Sequence, residues 1–98
     1  MFNILVVEDD KNLKKLMTTY LKRNNYTVFE ANNGLQALDI IDKKYIDLVI
    51  SDVMMPEMDG FELLNELRTS NYEIPIMLIT AKGDISDKKQ GFILGADD

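Results

Sequence analysis

Three short runs of apolar residues stand out along the chain: residues 3–7 (Asn-Ile-Leu-Val-Val), 48–50 (Leu-Val-Ile) and 76–79 (Ile-Met-Leu-Ile). Their hydrophobicity is continuous rather than alternating, which predicts strands covered on both faces, as in a parallel sheet. A fourth run, residues 26–30 (Tyr-Thr-Val-Phe-Glu), is more mixed and suits a sheet edge. The segments between them carry a different period. Leu13, Leu16, Met17, Tyr20 and Leu21 recur every three or four residues and predict an amphipathic helix with these side chains inward, closed by Asn24-Asn25. Asn32-Asn33-Gly34 reads as a turn or cap before a second helix with Leu35, Leu38 and Ile41 inward. Asp59-Gly60-Phe61-Glu62 has the form of a capping-box start, with Phe61, Leu64 and Leu67 on the buried face of a third helix. A fourth helix over residues 84–94 is weaker, because Gly91 inside it costs about 1 kcal/mol relative to Ala. Gly95 is a natural stop.

The order β-α-β-α-β-α-β-α predicts an α/β fold: one doubly wound parallel sheet with right-handed crossovers and helices on both faces. In such sheets function gathers at the carboxyl ends of the strands. The residues found there are informative. The first strand runs into Glu8-Asp9-Asp10, the third ends in Ser51-Asp52 and the fourth in Thr80-Ala81. If the first and third strands are neighbours, Glu8, Asp9 and Asp52 converge. Two carboxylates about 4 Å apart repel by roughly 4 kcal/mol at an effective dielectric near 20. One of them should therefore hold its proton unless a cation compensates. A hard divalent ion such as Mg2+, which takes oxygen ligands and bridges carboxylates to phosphate, is the natural candidate. The plainer alternative for each acid is a helix cap or a partner for a helix's positive end, and Asp10 is read as only that. Met54, Met55 and Met58 are read as packing residues.

Composition narrows the chemistry. The 98 residues suffice for one small domain, and 46% hydrophobic content fits a folded chain. With 17 acids against 11 bases and a net charge of -6, no basic stripe exists to bind nucleic acid through this segment. The chain has no Cys and no His, which removes disulfides, thiolate chemistry, the usual general base and the usual zinc ligand. No stretch approaches a membrane span and the N-terminus lacks the form of a signal peptide, so a cytoplasmic protein is expected, with no membrane partner.

"SDVMMPEMDG", residues 51–60, resembles the receiver domain of bacterial two-component response regulators. "ILVVEDD", "DLVISD", "PIMLITA" and "GADD" match at the strand ends and spacings of that family, so the likeness runs the whole length. The resemblance implies a flavodoxin-like receiver fold with strand order 2-1-3-4, in which residues 1–98 are one receiver domain. It implies that Asp52 accepts a phosphoryl group from a sensor histidine kinase. Mg2+ would be held by Glu8, Asp9, Asp52 and the backbone carbonyl of Met54. Thr80 would contact the phosphoryl group and carry the switch, while Pro56 and Gly60 shape the loop over the site. The domain would be a regulatory phosphoacceptor, not an enzyme in the ordinary sense.

One departure follows from the same resemblance. Family members have a fifth strand headed by a lysine that pairs with the phosphoryl group, then a last helix. Here the chain stops at Asp98, so those parts are expected to be missing, and Lys82 does not occupy the lysine's place. The fourth strand would then be an edge, which favours self-association through its unpaired backbone. Other functions remain open on the residues alone. An aspartate-nucleophile phosphatase would carry a second acid two residues after the nucleophile, where this chain has Met54. A flavodoxin-like cofactor binder would need a phosphate-cradling loop after the first strand. A non-phosphorylated interaction module is the third alternative.

Overall fold

The fold, a computed structural model, describes residues 1–79. Its elements alternate as expected: β1 (Asn3–Val7), α1 (Lys11–Arg23), β2 (Thr27–Ala31), α2 (Gly34–Lys43), β3 (Leu48–Asp52), α3 (Gly60–Thr69) and β4 (Ile76–Ile79). All three strand pairings are parallel, in the order β2-β1-β3-β4. The helix expected over residues 84–94 and the end of the fourth strand at Thr80 lie outside the described residues. No helix among the described residues is long and apolar enough to cross a membrane.

The register explains why the apolar runs are continuous. Leu5 pairs with Val49, Val49 with Ile76, Val7 with Ser51 and Ser51 with Leu78, so these side chains share one face of the sheet. All six are essentially fully buried beneath α2 and α3, whose Ala37, Ile41, Leu63 and Leu67 join the same cluster. The opposite face carries Ile4 and Val6, then Leu48 and Ile50, then Met77. Burial fades across it: Val6 is 0% exposed and Met77 is 38% exposed. The helix α1 packs on β1 and β2 and stops short of that end of the sheet.

Local signals start and stop the helices as the sequence indicates. The Asp10 carboxylate accepts from the amides of Asn12 and Leu13 and caps α1. Asn24 ends that helix, and Asn25 takes φ 70°, a left-handed turn that Asn tolerates. Asp59 and Glu62 exchange the reciprocal bonds of a capping box at α3. At the far end of the sheet, the Asn3 amide donates to Asp47 Oδ2 at 2.7 Å and the Asp47 amide donates to the Asn3 carbonyl at 2.8 Å. This exchange locks the β1–β3 register from below.

Two inward assignments, one in α2 and one in α3, fail for the same reason. Leu35 and Phe61, expected inside, are 50% and 39% exposed, and the inward place in the first turn of each helix belongs to the preceding residue, Gly34 or Gly60. In α3 the buried leucines are Leu63 and Leu67, with Leu64 only half-buried. A glycine contributes nothing to an apolar period, so the pattern cannot show that it faces inward. Both are packed tightly, Gly34 against Met58 and Gly60 against backbone: a Cβ on Gly60 would lie 2.6 Å from the Asp52 carbonyl oxygen. In α1 the packing side runs through Met17, Thr18 and Leu21, leaving Leu16 and Tyr20 on its flank, each 67% exposed. Thr18 is drawn inside by a 2.7 Å hydrogen bond from its hydroxyl to Glu30 Oε2, which hydrophobic spacing does not reveal.

Because the wall facing Gly60 is backbone and cannot yield cheaply, Gly60→Ala should destabilise the protein by about 2 kcal/mol despite its better helix propensity. Urea unfolding of the two proteins measures this. Equal or greater stability in the variant would show that α3 can shift away from β3.

Candidate functional site

The register that buries Leu5 and Val49 also sets the site. Val7 lies opposite Ser51, so the next residues, Glu8 and Asp52, emerge level with each other on neighbouring strands. Both are buried, at 1% and 6% exposure, whereas Asp9 faces solvent. Each of the three acids offers a carboxylate oxygen lying within 4.8 Å of the others. The convergence expected from the sequence is therefore realised for Glu8, Asp9 and Asp52. Asp10 stands apart as the cap of α1.

Few hydrogen bonds hold these carboxylates. Glu8 Oε2 accepts from the Asp10 amide at 3.0 Å, while Glu8 Oε1 is buried without a partner. A buried carboxylate oxygen with no donor is costly unless a proton or a cation meets it. Asp52 Oδ1 accepts from the Met54 amide at 3.3 Å, which folds the start of the β3–α3 loop back over the strand end. The Met54 side chain is exposed, so its contribution to the site is backbone.

Electrostatics follow from this burial. Burial, helped by the charges of Asp52 and Asp9 and opposed by the Asp10 amide, pushes the Glu8 carboxyl up to about 7. Burial also raises Asp52, opposed by the Met54 amide. The pocket thus holds protons more tightly than free carboxylates do, and its three acids offer hard oxygen donors, one Glu8 oxygen among them having no partner. That donor set suits a small divalent cation such as Mg2+. Thr80, the remaining side chain expected at this edge, lies outside the described residues.

The sequence profile of the response regulator receiver domain matches residues 4–98. The chain belongs to this family. Among curated relatives, the regulatory protein VanRc of Enterococcus gallinarum is 42% identical over 97% of this chain and 41% of its own length. The heme response regulator HssR of Staphylococcus epidermidis is 39% identical over all of this chain and 43% of its own. The chain thus spans about two fifths of the length of these relatives. Among solved structures, the receiver domain of Francisella response regulator 1452 superposes with a TM-score of 0.85 at 32% identity, covering 100% of this chain and 81% of that one. The response regulator TrrA of Thermotoga maritima, solved in complex with Mg2+ and BeF, gives 0.84 at 33% identity, covering 99% of this chain and 83% of that one. These likenesses bear out the flavodoxin-like receiver fold and the strand order read from the sequence.

The raised Glu8 carboxyl gives a pH dependence of known sign. A group whose folded pKa exceeds its unfolded value binds more protons in the folded state between the two, so stability falls as pH rises there. Without divalent cation, the protein should lose stability as pH climbs from 4.5 to about 7, then level off with respect to this group. Glu8→Gln should flatten that fall. Urea unfolding in chelator at several pH values measures it, and an unchanged slope in Glu8→Gln would mean that Glu8 is not the group responsible.

Proposed function

We propose that residues 1–98 form a receiver domain in which Asp52 accepts a phosphoryl group from a sensor histidine kinase, with Mg2+ held by Glu8, Asp9, Asp52 and the Met54 carbonyl. As a receiver domain, the chain belongs to the regulatory half of two-component signalling. The observation that carries the finer reading is the meeting of buried Asp52 with Glu8 and Asp9, oxygens within 4.8 Å, at the end of the sheet. A cluster of that kind is unfavourable by itself and becomes useful when positive charge and a phosphoryl group arrive together.

Asp52 is the acid suited to be the nucleophile. It ends β3, the strand flanked by β1 and β4, and its backbone pairs with Ile79 of β4. The Met54 amide orients one of its oxygens. In the transfer, an Asp52 oxygen forms a bond to phosphorus while the bond from phosphorus to the kinase imidazole nitrogen breaks. The electron pair of that bond stays with the imidazole, which takes up a proton. Mg2+, when bound, supplies the charge that offsets the carboxylates and the phosphoryl oxygens. The protein's part is to hold Asp52 in line and to keep Glu8 and Asp9 within reach of the cation. Thr80 is the hydroxyl proposed to meet the phosphoryl oxygens and carry the switch. The added charge and acceptor oxygens would act on that hydroxyl.

The family membership weighs against the phosphatase and cofactor-binder alternatives. An interaction module that never takes phosphate is separated by experiment. Exposed to a small acyl phosphate with Mg2+, the protein should gain the mass of one phosphoryl group, and Asp52→Asn should gain none. Intact-mass spectrometry with and without chelator reads both. Uptake that persists in Asp52→Asn would move the acceptor elsewhere, and no uptake by the parent would favour the interaction module.

A further inference from the structure

The residues that start α2 reach across to the loop that follows the phosphoacceptor strand. Asn33 uses both ends of its amide. Its Oδ1 accepts from the Gln36 amide at 2.9 Å and caps α2, while its Nδ2 donates to Glu57 Oε1 at 3.0 Å. The next residue continues the contact: the Gly34 amide donates to the Met58 carbonyl at 3.3 Å. The approach is close enough to require glycine there. A Cβ on Gly34 would lie 2.7 Å from Met58 Cγ and 2.9 Å from the Met58 carbonyl oxygen.

The loop so gripped runs from Asp52 to Asp59. At its start the Met54 amide is tied to Asp52, and at its far end the Gly60 amide donates to the Val53 carbonyl at 3.0 Å. Between these ties, Glu57 sits at φ 69°, a left-handed conformation that costs a non-glycine residue energy and persists where neighbours hold it. Glu57 is itself exposed, so nothing buries it into that shape. The contact from Asn33 holds it instead.

We propose that Asn33 and Gly34 form a clamp that positions the β3–α3 loop, and through it the Met54 carbonyl, for the cation. This rests on the reading of the site given above. Both are positioning residues that act through Glu57 and Met58. Asn33 is suited to this role because the two ends of its amide do separate work. A serine there keeps the helix cap and loses the reach to Glu57.

Asn33→Ser and Glu57→Ala should each weaken Mg2+ binding roughly threefold, the scale of one partly exposed hydrogen bond. The double variant should be no weaker than either single one, because both remove the same link. Glu57→Gln, which keeps the acceptor oxygen, should bind Mg2+ as the parent does. Calorimetric titration with Mg2+ measures these affinities. In metal-free protein, amide hydrogen exchange at Gly34 and Gly60 should speed up by a similar factor in Asn33→Ser, with Leu5 and Val49 unchanged. Parental exchange at both glycines, additive losses in the double variant, or a loosened loop with parental Mg2+ affinity would each overturn the clamp. A parent that takes no Mg2+ would contradict the reading of the site, and exchange in the metal-free protein would then decide whether the clamp orders the loop.

Discussion

Everything at the working edge of this domain depends on the burial of negative charge where two parallel strands end side by side. Glu8 and Asp52 are buried and level, Asp9 stands beside them, and one Glu8 oxygen has no donor. Water would relieve such a cluster at little cost, but the sheet keeps both buried acids away from it. The remaining means of relief are a proton or a cation. The upward displacement of Glu8 and Asp52 is the first of these. Binding a hard divalent ion would be the second, and it would return the carboxylates to their charged form. The starting state is electrostatically uncomfortable, and a bound cation would relieve it.

The rest of the fold serves to keep that discomfort in place. The exchange between Asn3 and Asp47 fixes the register at one end of β1 and β3, so the acids meet at the other. A slip of one residue would turn Glu8 or Asp52 to the opposite face. Gly60 lets α3 begin directly against the Asp52 backbone, and Gly34 lets α2 begin directly against Met58. The two helices therefore brace both sides of the loop that carries Met54. The β4 strand supports Asp52 from the other side, through the bond from the Val53 amide to the Ile79 carbonyl at 2.7 Å.

Much of this was legible in the sequence, because its signals are strong where the physics is local or strictly periodic. Continuous apolar runs gave β1, β3 and β4, and caps such as Asp10 and Asp59 gave helix starts. The convergence of Glu8, Asp9 and Asp52 is legible because they follow strand ends that share one edge. The failures have a common source. Gly34 and Gly60 face inward through closeness of backbone, Thr18 through a hydroxyl bonded to Glu30, and none of these adds to a hydrophobic period. Apolar character alone places Leu35, Phe61, Leu16 and Tyr20 inward, whereas they lie exposed on helix flanks. The link from Asn33 to Glu57 joins residues 24 apart, and nothing local announces it.

The most direct test of the electrostatic claim is a Mg2+ titration followed residue by residue in two-dimensional amide NMR. A cation held by the strand-end acids should shift the amides of Glu8, Asp9, Asp52, Val53 and Met54 together along one saturable curve, and Asp9→Asn should weaken that curve strongly. Small, non-saturating shifts spread evenly over surface acids such as Asp39, Asp42 and Glu66 would contradict it, and would mean that the buried carboxylates find their relief in protons alone.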